Sequence, residues 1–244
     1  MAASTERFAD YFGLQLRLAA LMAAAKGLPL REAMDLYTNL RRRLGVFEPD
    51  APAWNDFLDG VDAARTEADR LAWTMACFRK APDVRAPNQV PFGCFACEPP
   101  NDEGVLRIHF TNREIGTEPG PLSSTRIGYR LQELRAMFAF IHGEYPTGRR
   151  VLGGSWLYNL DAYRRLFPPE YGDSRRVPDG PVRLGGTSTW GQMVDHRGLV
   201  RPELHAQFLV NLQTLDVDQP WLAFPLRALT ATAPIEAFFK FYGV

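Results

Sequence analysis

The spacing of apolar residues changes at Pro82 and Pro87, and this change constrains the fold more than any other feature of the sequence. Before these prolines, apolar residues recur with the period of one face of an α-helix. After them, short extended runs alternate with helical stretches. Such alternation favours a layered sheet with helices over a helical bundle or a sandwich. We therefore predict an α/β (α+β) fold, in which a mixed sheet is flanked by helices and an N-terminal helical layer is added.

The same change sets the predicted domain organisation. A chain of 244 residues is long enough for one large domain or two small ones. We expect residues 1–82 to form a helical region and residues 83–244 to form an α/β domain. Gly27 and Gly45 are expected to end the first two helices, because glycine readily adopts the left-handed conformation that closes a helix.

In the second domain the sequence predicts strands separated by helices. Strands are expected at Gln89–Glu98, Gly104–Phe110, Arg150–Asn159, Pro181–Val194 and Pro220–Leu229. A serine is a preferred N-cap, so one helix should begin at Ser123 or Ser124. Further helices are expected at Asp161–Phe167, after Pro202, and at the C-terminus from Ile235.

Composition excludes several classes of function. The formal net charge is zero, so nothing directs the whole molecule toward nucleic acid or an anionic membrane. The sequence contains no apolar run of the roughly 18–20 residues that span a bilayer. Three cysteines, an odd number, do not suggest a disulfide framework, and we expect a cytoplasmic protein. The expected partner is a small-molecule ligand or another protein, and the oligomeric state is left open.

The segment Cys94-Phe-Ala-Cys97 has the spacing of a metal or redox motif. A structural zinc site needs four ligands, and the sequence holds no second pair of this kind. On an extended strand, residues three positions apart point to opposite faces, so the two thiols could not share a metal or form a bridge. The four histidines show no metal-binding spacing either. We therefore predict buried structural cysteines and no metal site.

Ser155 stands between glycines and a helix, which raises the question of a nucleophile. The nucleophile elbow of hydrolases is G-x-S-x-G, whereas here Leu157 occupies the position of the closing glycine. Possible partners follow in the order that hydrolases use: Asp195, then His196 or His205. A serine hydrolase is kept as the lower alternative. We favour a strand-to-helix corner whose glycines admit a close neighbour.

Four short segments together resemble one family. They are Leu106-Arg-Ile-His-Phe110, Gly120-Pro-Leu122 before a helix, Ser155-Trp-Leu-Tyr158 with Leu166-Phe-Pro168, and Pro225-Leu-Arg-Ala-Leu-Thr230 before the last helix. Their order resembles the GNAT-like acyltransferase superfamily, and more narrowly the GNAT-like C-terminal domain of uncharacterised bacterial proteins. The resemblance implies a GNAT-like topology for residues 83–244 and acyl-CoA as a possible cofactor.

The resemblance also implies a place for the cofactor. In this superfamily the pyrophosphate is bound by backbone N–H groups at a helix start, after a loop written [QR]-x-x-G-x-[GA]. Arg113 and Gly116 match that pattern, whereas Glu118 stands where the family has a small residue. The following helix start, Ser123, Ser124 and Thr125, would complete the cofactor site. The thioester would lie near residues 110–111.

For catalysis the family often shows N-x-x-A-x-x-x-Y, with the tyrosine as general acid. Asn159 matches this pattern, Leu166 replaces the tyrosine, and Tyr163 lies about one helical turn earlier. Tyr163 and Asn159 are therefore the candidate catalytic residues. Two main hypotheses follow: acyl-CoA binding or acyl transfer, and a non-catalytic binding or assembly module that keeps the fold without the cofactor.

Overall fold

The computed structural model describes residues 8–82 and 86–244. The chain divides into two compact units, one made of Met1–Arg85 and Pro181–Leu226, the other of Ala86–Gly180 and Arg227–Val244. The first unit thus includes a segment, 181–226, that the sequence pattern groups with the α/β domain. The predicted domain boundary, between residues 82 and 83, adjoins residues 83–85, which lie outside the described residues.

The first unit is built from helices. They are α1 (Ala9–Lys26), α2 (Leu30–Tyr37), α3 (Leu40–Arg43), α4 (Pro52–Ala63), α5 (Glu67–Lys80), α9 (Thr187–Trp190) and α10 (Pro202–Asn211). As predicted, Gly27 closes α1 in the left-handed conformation, with φ 63°. A capping box between Thr66 and Asp69 begins α5. The core of this unit is aromatic: Trp190 contacts the rings of Phe208 and Phe224 and is fully buried.

The predicted strand Pro181–Val194 is wrong. The structure has α9 there, followed by a 3₁₀ turn at Gly191–Met193. The buried side chain of Gln192 accepts from the backbone N–H of Leu226 at 2.8 Å and donates to its carbonyl at 2.9 Å. The Gln192 side chain thus pairs the backbone N–H and C=O of Leu226, which belongs to no strand.

The second unit contains the sheet. Its strands are β1 (Val90–Phe92), β2 (Phe95–Cys97), β3 (Val105–Phe110), β4 (Arg150–Ser155) and β5 (Leu229–Pro234). Its helices are α6 (Ile127–Glu144), α7 (Asp161–Arg164), α8 (Pro169–Asp173) and α11 (Ile235–Tyr242). The strands lie in the order β1-β2-β3-β4-β5. Only β3 and β4 are parallel, and α6 connects them.

Three predicted strands have different bounds in the structure. Gln89–Glu98 is the hairpin β1–β2, because Gly93, with φ 60°, turns the chain back on itself. The strand that begins at Arg150 stops at Ser155 and continues as a 3₁₀ turn. The last strand is Leu229–Pro234 and not Pro220–Leu229, since residues 220–223 form another 3₁₀ turn.

The fold class is confirmed: helices combine with a mixed sheet of five strands. In the part of the chain that the structure describes, no helix combines the length and apolar character needed to cross a membrane.

Candidate functional site

The parallel strands β3 and β4 are paired over only part of their length. Val105, Leu106 and Arg107 pair with residues 150–152. Beyond this point, residues 108–110 pair with β2 and residues 153–155 pair with β5. The carboxyl-terminal halves of the two strands therefore have no ladder between them, and the sheet opens at that edge. Ligands in open α/β sheets bind at the carboxyl ends of parallel strands.

The segment from Thr111 to Arg126, here called the entry loop, leads from the open end of β3 to α6. Its last residues, Ser124–Arg126, form a 3₁₀ turn that runs into the 18-residue helix. Ser124 and Thr125 are exposed. The first N–H groups of a helix lack intrahelical partners and carry the positive end of its dipole. The predicted phosphate-binding residues are thus at a helix start, as the sequence indicates.

The other two predicted cofactor residues lie earlier in the entry loop. Gly116 is exposed and has φ 83°, a conformation that favours glycine. The backbone N–H of Arg113 donates to the sulfur of Cys94, which ties the start of the loop to the β1–β2 hairpin. Ser123 belongs to the same end of the loop as Thr125, since their hydroxyl oxygens are 3.1 Å apart.

Glu114 is bound by two arginines of the helix start. Its carboxylate lies 2.7 Å from Nη2 of Arg126 and 2.8 Å from Nη2 of Arg130. These hydrogen bonds, the one from Arg126 first, lower the pKa of Glu114. Both arginines lie more than ten positions from the glutamate along the chain. Its negative charge is therefore balanced within the loop.

Arg130 joins the loop to a second carboxylate. Its Nη2 lies 3.1 Å from Oε1 of Glu133, and the arginine is only 2% exposed. Burial raises the pKa of Glu133. The Oε2 atom of Glu133 accepts from the backbone N–H of Cys94 at 3.2 Å. A Cβ on Gly93 would lie 1.8 Å from Oε1 of Glu133, so this carboxylate packs directly against the glycine of the hairpin turn.

The sulfur of Cys94 and carboxylate oxygens of Glu114 and Glu133 lie within 4.8 Å of one another. This spacing would suit a metal ion by distance alone. Both carboxylates, however, already bind the guanidinium of Arg130. A divalent cation would have to displace a buried arginine, and the group is better described as an internal ion-pair cluster. We call Cys94, Glu114, Arg126, Arg130 and Glu133 the charged cluster.

The two motif cysteines do not lie on one strand. Cys94 is in the hairpin turn, Cys97 is in β2, and both are buried. Burial raises the pKa of both thiols, to about 11 for Cys97. A reactive cysteine needs a thiolate near neutral pH, which this environment opposes.

Burial raises the pKa of Cys77 as well, so exposure decides the order, and we expect iodoacetamide at mildly alkaline pH to modify the partly exposed Cys77 first in the folded protein. Cys94 and Cys97 should react only after unfolding in urea. Mass spectrometry of the labelled peptides measures this order. Rapid labelling of Cys94 in the folded protein would contradict the buried assignment.

Tyr163 lies in α7, and its side chain belongs to a cluster of aromatic rings. It is 2% exposed, and its ring contacts those of Phe110, Tyr158 and Phe167. Burial raises the pKa of Tyr163 far above its ordinary value. Because Phe110 ends β3 and Tyr158 follows β4, these rings fill the space beneath the open end of the sheet. In this arrangement the phenol is enclosed by protein.

Asn159 and Ser155 both have local structural roles. The amide nitrogen of Asn159 donates to the carbonyl oxygens of Trp156 at 2.7 Å and Arg227 at 2.8 Å. The hydroxyl of Ser155 accepts from the N–H of Leu157 at 3.1 Å and caps the 3₁₀ turn. The serine is therefore the N-cap of a strand-to-helix corner.

The hydrolase alternative requires a histidine and an aspartate beside this serine. His196 and Asp195 belong to the first unit, whereas Ser155 belongs to the second. The Asp195 carboxylate accepts from the backbone N–H groups of Arg197 and Leu199 and so shapes a turn. The structure thus gives both the aspartate and the serine local partners.

The sequence analysis missed the charged cluster. Its signal is a set of oppositely charged residues at helical spacing: Arg126, Arg130 and Glu133. Residues three or four apart share one face of a helix. In the structure, Arg126 and Arg130 on this face bind Glu114 of the entry loop. Comparison with family models, with curated proteins and with solved structures gives no match for this chain.

Proposed function

We propose that the second unit binds an acyl-CoA-type ligand at the open end of β3 and β4, as a binder and not as an acyltransferase. The observation that carries this proposal is the ladder that stops after Arg107 and Leu152, in the strand whose carboxyl end leads through the entry loop to the start of α6. An extended chain such as pantetheine needs strand backbone without a ladder partner, and a pyrophosphate needs unpaired N–H groups at a helix start.

Charge at the entry loop supports an anionic ligand. Glu114 would repel a phosphate if it were unpaired, but it is bound by Arg126 and Arg130. The Nε and Nη1 atoms of Arg130 are buried and have no acceptor among the described residues. Buried N–H groups of this kind are normally satisfied by protein, water or a ligand. A phosphate oxygen is a suitable acceptor beside this cluster.

Access from solvent exists on one face of β4. Successive residues of a strand point to opposite faces, so Gly153 and Gly154 differ in environment. Gly153 is buried against tyrosines, whereas a Cβ on Gly154 would meet nothing within 4 Å. The ligand chain would therefore lie on the face of Gly154, with the aromatic cluster behind it.

The same geometry favours binding over catalysis. A general acid must reach the departing thiolate, and its pKa should lie near the working pH. The Tyr163 phenol is enclosed and its pKa is raised, while the Asn159 amide is held by two carbonyl groups. Both family-type catalytic positions thus serve the fold, which supports the binding part of the first hypothesis over acyl transfer.

Titration calorimetry with CoA and acetyl-CoA tests the binding. We expect heat and saturation with both ligands, and no release of free CoA from acetyl-CoA over hours. The variant Ser124→Asp should weaken binding by about tenfold or more, because it places a carboxylate at the phosphate position. An aspartate near a helix start does not oppose folding, so the variant remains a fair test.

Thr147→Asp is the matched control, since it adds the same charge at an exposed position of the same unit, beyond the C-terminus of α6. It should leave CoA binding unchanged. An absence of heat at millimolar CoA with the wild-type protein would end the binding proposal. Release of free CoA would instead restore the acyltransferase hypothesis.

A further inference from the structure

We infer that Tyr129 is a stacking platform for the adenine base of the ligand. This inference rests on the proposed function and adds to it the recognition of a purine ring. Tyr129 is the third residue of α6, beside the helix start where the phosphates would lie. It is 58% exposed, an unusual position for a large aromatic side chain in a unit whose other tyrosines are mostly buried.

The ring of Tyr129 is held in place on one side. The guanidinium carbon of Arg126 lies 4.9 Å from the ring centroid, a cation–π contact. Arg126 in turn is fixed by Glu114 at 2.7 Å. A fixed ring loses less conformational freedom when a ligand stacks on it, which favours binding.

The rest of the ring is open to solvent. Gly128, the neighbour on the helix, is exposed, and a Cβ there would meet nothing within 4 Å. Among the ring contacts in the described part of the chain, Tyr129 has this cation and no aromatic partner. A planar purine fits the open face, because base–aromatic stacking needs only a flat surface and tolerates any base.

Charge complementarity supports a nucleotide over an uncharged aromatic ligand. The positive end of the α6 dipole and the guanidinium of Arg126 lie on the side where phosphates would join the base. Arg130, one turn further along, keeps two buried N–H groups without an acceptor in the described protein. Base stacking and phosphate binding would thus occur at one end of one helix.

The test compares three probes by calorimetry: CoA, ADP and pantetheine. In Tyr129→Leu, binding of CoA and ADP should weaken by about tenfold, the effect of losing one stacked base. Pantetheine, which has no base, should bind as it does to the wild type. Tyr129→Phe should restore CoA and ADP binding, because the ring face is kept. The melting temperature of Tyr129→Leu should match that of the wild type, since the side chain is exposed.

The outcomes separate this inference from the proposed function. If the wild type binds CoA, and Tyr129→Leu binds CoA and ADP as tightly as the wild type does, the platform is refuted and the proposed function stands. If ADP binds in a Tyr129-dependent manner but neither CoA nor pantetheine binds, the platform is supported and the ligand is a nucleotide other than a CoA. If the wild type binds none of the three probes, both the platform and the proposed function are refuted.

Discussion

Replacing Gly153 by alanine is expected to lower the free energy of unfolding by about 2–3 kcal/mol, the cost of adding a methyl group to a close-packed core. An alanine Cβ at this position would lie 1.9 Å from the hydroxyl oxygen of Tyr158 and 2.2 Å from that of Tyr171. These two oxygens are themselves hydrogen-bonded at 2.5 Å, and both tyrosines are buried. The methyl group can therefore be accommodated only by breaking that bond or moving β4. Urea denaturation followed by circular dichroism measures the change.

The next glycine in the sequence is the matched control. Gly154→Ala adds the same methyl group on the opposite face of β4, where it meets nothing within 4 Å. Its effect should stay within about 0.5 kcal/mol of zero, as is usual for exposed positions. In a Tyr158→Phe background, Gly153→Ala should lower the free energy of unfolding by less than in the wild type, because the hydroxyl oxygen nearest to the new methyl group has been removed. Equal effects of the two glycine substitutions would disprove this account of the corner.

The corner shows how far local sequence patterns reach. Glycines next to Ser155 predict that something approaches the strand closely, and this is what the structure has. Which side chains approach could not be read from the pattern. Tyr171 lies 18 positions along the chain from Gly153, beyond the short turn and α7. Local rules do not show how the chain returns to the strand over that distance. Local rules therefore indicated the constraint and not its cause.

In the candidate site, too, local features could be predicted from the sequence, whereas features that depend on tertiary packing could not. Ser123 and the residues after it were expected at a helix start from the preference of serine for the N-cap; Ser123 takes that position, although its side chain makes no capping hydrogen bond. The partners of Glu114 could not be predicted, because they lie 12 and 16 positions away along the chain, at the start of a helix that must first pack against the loop. Tyr163 stands close to the family's tyrosine position in the sequence, and only packing reveals that its phenol is enclosed. Charge balance and burial are tertiary properties.

Arg130→Met should destabilise the protein by about 3 kcal/mol at neutral pH, because removing one partner leaves the other charges of a buried ion pair uncompensated. Arg130 is 2% exposed and binds both Glu114 and Glu133 through Nη2. Methionine keeps much of the side-chain volume, so the loss reports charge more than packing. Arg135→Met is the control on the same helix. Arg135 is exposed, and its bond to the carbonyl of Gly243 is long, at 3.4 Å, so the effect should be small.

The dependence on pH distinguishes a charge effect from a packing effect. In the wild type, the lowered pKa of Glu114 contributes stability that is present above the ordinary carboxyl pKa and is lost as the pH falls from there through the lowered pKa, whereas the raised pKa of Glu133 acts in the opposite direction. Without Arg130, the pKa values of Glu114 and Glu133 should rise, so the folded variant binds more protons than the unfolded chain. Its stability then falls as the pH increases. The difference between wild type and variant should therefore be greatest at neutral pH and should shrink in acid, where both carboxyl groups are protonated. A cost that is the same at both pH values would assign Arg130 a packing role, and the charged cluster would no longer explain the shape of the entry loop.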